Sequence, residues 1–541
     1  MFFSFSASAH QLACKRKQDE RQALIDALPA DYSNPLSLQE RKIHALSLPQ
    51  MVSQCNSGDL TPAMVLSVYA KKALRAQQVT NCLSDIMLDK ALTSSSVGEA
   101  SGRSCQVCLT LDTVNVKGRD STIGYSSNVG KPAASSSAIV RLLQDAGAIV
   151  HAKTTNPIGL LSIETVSDVF GATRNPHNLA FTPGGSTGGG AALLASGGSK
   201  IDIGSDIGGS VRIPAHFCGI YSLKGSAGRF PSWDKASLSS PLPWLVPSMT
   251  WRSSGNEFVL CEPWQYDHTC IPLPWRSINL QDEGRKLKWG IMWDDGAIPP
   301  TPACRRALST VAAALRKQGH EVVDFHPPDI VSGMATGYKA LLSDGGQQIA
   351  NQLSPGEELI GPAQGLLALF NLPRLVKKIL AYFTRTSDPF AAGTSIERGG
   401  MRKWLSEGLD FILTVPHPLP AIEHGASEKA TLMSVGLYFL IQHGESYRLD
   451  YTAGVFPVTK VDKDLDALLE NFQSSSEYRS MNSVAKGAYS VYDAQKMHGL
   501  PLGVQIVGRR LEEEKVLEGM KVAEAALKEA GLSSGVGLVD L

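Results

Sequence analysis

Apolar positions along this chain switch repeatedly between helical and strand spacing. After Thr61-Pro62 the residues Val65, Leu66, Val68, Tyr69 and Leu74 follow a helical period up to about Gln78, with Thr61 placed to cap the helix and Pro62 at its first position. Val107 to Leu111 reads as extended, Ser135-Ser136 as the cap of a helix that stops near Gly147, and Ala148 to Ala152 as a strand. Leu287 to Trp293 predicts a strand, Thr301-Pro302 a helix to about Gln318, and Glu321 to Phe325 the next strand. Phe411 to Val415 and Gly503 to Val507 are short apolar strands, and Glu512 to Glu529 is a closing helix. Residues 11–35 are charged and predict one or two surface helices; the Ser/Gly-rich patch around 94–104 predicts a loop. The alternation predicts an α/β fold: a single large domain over 60–531, with a mixed central sheet flanked by helices. An N-terminal helical segment, 1–59, precedes it and a tail, 532–541, follows.

Composition narrows the class. The 541 residues carry 51 Lys plus Arg against 51 Asp plus Glu, so no net charge draws the chain to nucleic acid or an anionic membrane. With 43% apolar and 19% charged residues the sequence is that of a globular protein. No run of eighteen apolar residues occurs, so no transmembrane segment is expected. The start, Met1-Phe2-Phe3-Ser4-Phe5, has no basic residues before it and is soon interrupted by Lys15-Arg16-Lys17, which argues against a secretory signal and for a cytoplasmic protein. Nine scattered cysteines fit free thiols, and Cys105-x-x-Cys108, with no second pair at zinc spacing, reads as two strand cysteines. Residues 366–383 are amphipathic but broken by Pro373, which favours a helix over a substrate cleft above a membrane-surface helix.

The chemistry concentrates in two glycine-cradled serines. Gly184-Gly185-Ser186-Thr187-Gly188-Gly189-Gly190 is followed by Gly204-Ser205-Asp206-Ile207-Gly208-Gly209-Ser210-Val211-Arg212. Glycine-rich turns let backbone N–H groups converge on a ligand. A phosphate loop is excluded, because Gly190 is followed by Ala191-Ala192 where Lys-Ser/Thr would be needed; the dinucleotide pattern fails too. The segment Gly184 to Lys224 resembles the amidase-signature family of serine hydrolases, and the likeness runs from about Leu60 to Ala526, nearest to the fungal acetamidase and general-amidase branch. Lys153-Thr154-Thr155-Asn156-Pro157, Ala453 to Val458 and Leu502 to Arg510 support it.

The resemblance implies that Ser210 is the nucleophile and that Ser186, behind a cis peptide, bridges the proton path. It makes Ile207, Gly208, Gly209 and Ser210 the oxyanion turn, Asp206 and Arg212 a structural pair, and Leu160 an apolar wall of the acyl pocket. The implied reaction is hydrolysis of a carboxylic amide to acid plus ammonia or amine through an acyl-enzyme, with no metal and no cofactor. The expected partner is a small amide, and a homodimer is compatible. The family's lysine, counted back from Gly118, falls on Leu111, which cannot carry a proton. Lys117 and Lys153 occupy other positions of the pattern, and His216 reads as structural. Agreement also breaks at 235–258 and 441–448, a pattern of abrupt blocks that fits altered exon or reading-frame boundaries. The alternative to an amidase is therefore a catalytically inactive amide-binding protein on the same fold. A glutaminyl-tRNA amidotransferase subunit shares the signature, but the C-terminal half speaks against it.

Overall fold

Neighbours in the central sheet are mostly strands far apart in the chain. The computed structural model describes residues 8–88, 108–111, 113–231, 246–251, 262–281, 285–326, 344–373, 375–376, 404, 406–430, 450–532 and 535–541. Its strands are β1 (Leu83–Ile86), β2 (Cys108–Leu111), β3 (Ile149–Thr154), the short β4 (Val166–Ser167) and β5 (Gly171–Ala172), β6 (Ile201–Asp206), β7 (Tyr221–Lys224), β8 (Val246–Trp251), β9 (Lys288–Ile291), β10 (Glu321–Asp324), β11 (Phe411–Thr414), β12 (Ala453–Lys460) and β13 (Pro501–Val507). All but β4 and β5 form one sheet in the order β1-β3-β2-β6-β8-β7-β12-β13-β11-β9-β10. β2 lies parallel between β3 and β6, and β9 parallel between β11 and β10; the remaining pairs are antiparallel. This is the expected mixed sheet. β6 and β13 are buried along their whole length, consistent with a sheet covered on both faces.

The helices form where the sequence punctuates them. Thr61 caps Pro62–Thr80, its hydroxyl accepting from Met64 N at 3.3 Å. Helices Pro302–Lys317 and Glu513–Glu529 pack on each other and against β12 and β13. The helix expected after Ser135-Ser136 runs Ala138–Asp145 with Ser137 at its cap; Ser136 Oγ instead accepts Lys117 N–H. In the 366–383 stretch, helix Gly361–Asn371 ends two residues before Pro373, whose ring and missing N–H cannot continue it. The remainder of that stretch beyond Val376, and the patch at 94–104, lie outside the described residues.

An N-terminal helix, Ala9–Asp26, is fastened to the domain by polar contacts of the buried His10 and Lys17. His10 bridges Ser126 Oγ (3.0 Å) and Asp168 (2.9 Å), and Lys17 pairs with Asp120 at 3.2 Å. Among the described residues no helix is long and apolar enough to cross a membrane, and no group of His, Cys, Asp and Glu is arranged to hold a metal. Cys105 lies outside them; Cys108 is on β2.

Candidate active site

The second serine motif is a strand ending in a turn that its own acid braces. β6 ends at Asp206, the chain turns through Ile207–Ser210, and helix Arg212–Cys218 follows. Gly209 makes the turn at φ 103°, a left-handed conformation that an L side chain rarely adopts. Asp206 Oδ1 accepts from Gly209 N (2.7 Å) and Arg212 Nη2 (2.9 Å); Oδ2 accepts from Val211 N (3.2 Å) and Arg212 Nε (2.9 Å). Both side chains are fully buried. Burial alone would push the Asp206 carboxyl up, but the Arg212 guanidinium and the Gly209 N–H outweigh it and hold the group below the usual carboxylate range. Arg212 also donates to Gln505 of β13 at 2.7 Å, tying the turn across the sheet.

This bracing corrects one expectation. Gly209 was expected among the oxyanion donors, yet its N–H goes to Asp206. The N–H groups of Ile207, Gly208 and Ser210 make no hydrogen bond among the described residues.

The first motif packs directly beneath. Gly185–Ser186 is a cis peptide, and Gly185 lies so close to the Ser162 carbonyl that a Cβ there would overlap it. Thr165 Oγ1 donates to Gly184 O at 2.7 Å, and Thr187 N donates to Ser210 O at 3.0 Å. That last bond brings the two serine loops into register. Ser186 is fully buried, and its Oγ has no hydrogen-bond partner among the described residues. Ser210 is only half-buried. An unpartnered buried hydroxyl on a loop bonded to the one that carries Ser210 is an unsatisfied polar group, which proteins seldom retain without use.

Leu111 lies at the end of β2, opposite Ile203 of β6 on one side and Lys153 of β3 on the other. The position expected to hold a lysine is thus on the strand adjacent to the one that delivers Ser210. Lys153 does not stand in for it: its Nζ donates to Val114 O and to Ser121 Oγ (3.1 Å). Lys200 donates to Leu46 O, and Lys224 to Asp450 (3.2 Å) and Tyr451 O (3.0 Å). His216 is enclosed, accepting from Gly503 N at 2.8 Å and bonding Leu419 O at 3.1 Å, and burial lowers its pKa to about 4. It is structural, as its isolation in the sequence suggested.

Leu160 is buried at φ 61°, directly after Gly159 at φ 67°, and packs in an apolar cluster with Ile207, Tyr125 and Ile349. The structure therefore packs Leu160, which the resemblance makes a pocket wall, against Ile207 of the serine turn. Glu164 was not foreseen. Its carboxylate accepts Gly425 N and Ser427 N, both at 2.9 Å, and so fixes a distant segment beside the loop that carries Ser186. Nothing local in the sequence announces a contact across more than 250 residues.

The amidase family model matches residues 64–517, most of the chain. The chain belongs to the amidase family. Acetamidase of Emericella nidulans is 30% identical over 520 residues, covering 90% of each protein. Fatty-acid amide hydrolase 1 of Sus scrofa is 30% identical over 549 residues, covering 95% of this chain and 92% of that one. Among solved structures, a fatty acid amide hydrolase superposes with a TM-score of 0.77 at 25% identity and 95% coverage of both chains. A 6-aminohexanoate cyclic dimer hydrolase, at TM-score 0.62 and 20% identity, shares the fold. The amidase-signature fold and membership in a family of amide hydrolases are thereby shown.

Proposed function

We propose that this chain binds a carboxylic amide at the Ile207–Ser210 turn and hydrolyses it through an acyl-enzyme on Ser210, slowly, because position 111 is leucine. The observation that carries this reading is the unpartnered, buried Ser186 hydroxyl next to the half-exposed Ser210, joined by the Thr187 N to Ser210 O bond. In the acylation step Ser210 Oγ bonds to the amide carbon while its proton passes to Ser186. Ser186 gives its own proton to the departing nitrogen, the C–N bond breaks, and ammonia or an amine leaves. Water then cleaves the ester by the reverse relay, releasing acid. The Ile207, Gly208 and Ser210 N–H groups face the negative charge on the carbonyl oxygen; one such donor is worth on the order of 3 kcal/mol. A positioned base adds roughly 10²–10⁴-fold. That is the factor a leucine forgoes.

The same leucine supports the second reading, an amide-binding protein without turnover. Amide hydrolysis and fluorophosphonate labelling of the unaltered chain, Leu111→Lys and Ser210→Ala distinguish the two. Slow turnover that rises at least a hundredfold in Leu111→Lys and vanishes in Ser210→Ala supports the amidase. Turnover in the unaltered chain as fast as in Leu111→Lys would refute the relay. Amide binding with no labelling and no turnover in any form would favour the binding protein.

A further inference from the structure

His10 lies buried in the first turn of helix Ala9–Asp26, where three distant segments meet. Its Nε2 is 2.9 Å from Asp168 Oδ2, and its Nδ1 is 3.0 Å from Ser126 Oγ and 3.7 Å from Glu357 Oε1. Ser126 Oγ in turn donates to Ser354 Oγ at 2.9 Å. Glu357 joins the same two serines through their backbone, accepting Ser126 N at 2.7 Å and Ser354 N at 2.9 Å. Cys14 Sγ, one helical turn on, is 3.7 Å from Nδ1. Burial first, then Asp168 and Glu357, pushes that thiol up to about 11, so it brings no charge near neutral pH. The cations on this face of the helix are engaged elsewhere: Lys17 pairs with Asp120 and Glu20, both at 3.2 Å, and Arg16 donates to Val129 O at 3.0 Å.

The protons available at this joint require a charged ring. A hydroxyl has one proton, which Ser126 gives to Ser354, and a carboxylate has none. Asp168 and Ser126 therefore both need an N–H from His10, and only the imidazolium has two. In the neutral ring with its proton toward Asp168, the Nδ1 lone pair would face the Ser126 oxygen and the Glu357 carboxylate unless Ser126 gave up Ser354. We propose that His10 is a proton-operated latch. As imidazolium it clamps helix Ala9–Asp26 to Ser126 and the 354–357 segment; when it loses its proton, the clamp slackens. The clamp is thus closed at low pH and opens as pH rises, since histidine is the side chain that changes charge near neutral pH. Its reach is set by its neighbours in the chain. Ser126 follows Tyr125 and Glu357 stands two residues before Leu359, and both of those apolar residues pack in the cluster that holds Ile207 of the serine turn.

The test is amide hydrogen exchange of the full chain, read by mass spectrometry at pH 5.5 and pH 8.5 and corrected for the chemical effect of pH. It needs neither substrate nor turnover, so its outcome is independent of the amidase reading. In the unaltered chain, protection of residues 9–26, 123–128 and 349–359 should fall by about tenfold or more between pH 5.5 and pH 8.5, while β13 stays as protected as before. His10→Gln offers a donor and an acceptor but never a charge, so the same segments should show the lower protection at both pH values. Ser126→Ala removes the partner of Nδ1 while leaving His10 and Asp168 in place, and should lose most of the pH effect at 349–359. If His10→Gln does not fold, Ser126→Ala carries the test. Protection that does not change with pH in the unaltered chain overturns the latch. A pH effect that persists undiminished in either folded variant assigns it to another group and overturns the latch equally.

Discussion

Replacing Asp206 with Asn tests whether the serine turn is held by its acid or merely adjoins it. The carboxylate takes four hydrogen bonds, from Gly209 N, Val211 N and two guanidinium nitrogens, at 2.7–3.2 Å and with no solvent exposure. An amide at this place supplies one acceptor and aims an NH2 at groups that are all donors. Arg212 is left charged and buried, and removing one partner of a buried pair costs about 3–5 kcal/mol. We therefore expect Asp206→Asn to lose about that much stability in urea unfolding, and fluorophosphonate labelling of Ser210 to slow at least tenfold in a Leu111→Lys background. Removing both charges with Asp206→Leu plus Arg212→Leu should restore part of the stability, because no lone buried charge remains. Labelling should stay slow, because the Gly209 and Val211 N–H groups still lack their acceptor. The sign with pH follows from the depressed carboxyl. Its contribution is complete above the unfolded value of 3.8 and disappears only as pH falls through the lower folded value. The brace thus persists through mild acid. A loss under about 1 kcal/mol in Asp206→Asn, or labelling at the parental rate, would refute this account.

The buried histidines set an acid limit of their own. His216 and His177 titrate near 4 when folded, mainly through burial, against 6.5 unfolded, so the unfolded chain gains protons first as pH falls. Stability should be level above about pH 7 and drop between 6.5 and 4, by about 2 kcal/mol per histidine at pH 5; urea unfolding at pH 7 and pH 5 measures this, and His216→Gln should show the smaller drop. Gly185→Ala forces a Cβ into the Ser162 carbonyl and should destabilise the protein by about 1–3 kcal/mol while abolishing Ser210 labelling; normal labelling would mean the loop can shift. The breaks in family agreement predict that transcript sequencing across codons 90–112 finds a reading with lysine at 111, and an intact Leu111 codon there would count against altered boundaries.

The elements were legible where they are punctuated locally. Thr61-Pro62 and Thr301-Pro302 mark helix starts because the cap and the fixed proline φ act within one turn, and the structure starts helices at Pro62 and Pro302. The apolar run Gly503–Val507 was legible as a strand because a strand covered on both faces need not alternate. The order of the strands was not. β6 pairs with β2 and β8, and β12 with β7, through contacts that span up to hundreds of residues and leave no periodic trace. At the site, the two serines and the Asp206–Arg212 pair were readable because each lies within a few residues of its neighbours. The destination of the Gly209 N–H was not, since glycine carries no side chain to reveal which acceptor its backbone meets.

Under the proposed function, that division lets a single residue separate fold from activity. In the proposed site, most of what the turn offers a ligand is main chain: three N–H groups, placed by a φ of 103° and by the ion pair beneath them. Such donors survive substitution of almost any side chain around them, so a pattern built on glycines persists whatever residue stands at position 111. The proton acceptor is different. In the proposed relay it is a titratable side chain at the β2 position that Leu111 holds between Lys153 and Ile203, and no backbone group can replace it. Lys153, one strand away and directly opposite Leu111, shows why a neighbour does not take over. Its Nζ already bonds the buried Val114 carbonyl and the half-buried Ser121 hydroxyl, so turning toward Ser186 would abandon both acceptors. If Leu111→Lys restores fast hydrolysis, the main-chain half of the site has been intact throughout; if it does not, the main-chain half is insufficient even when the base is returned.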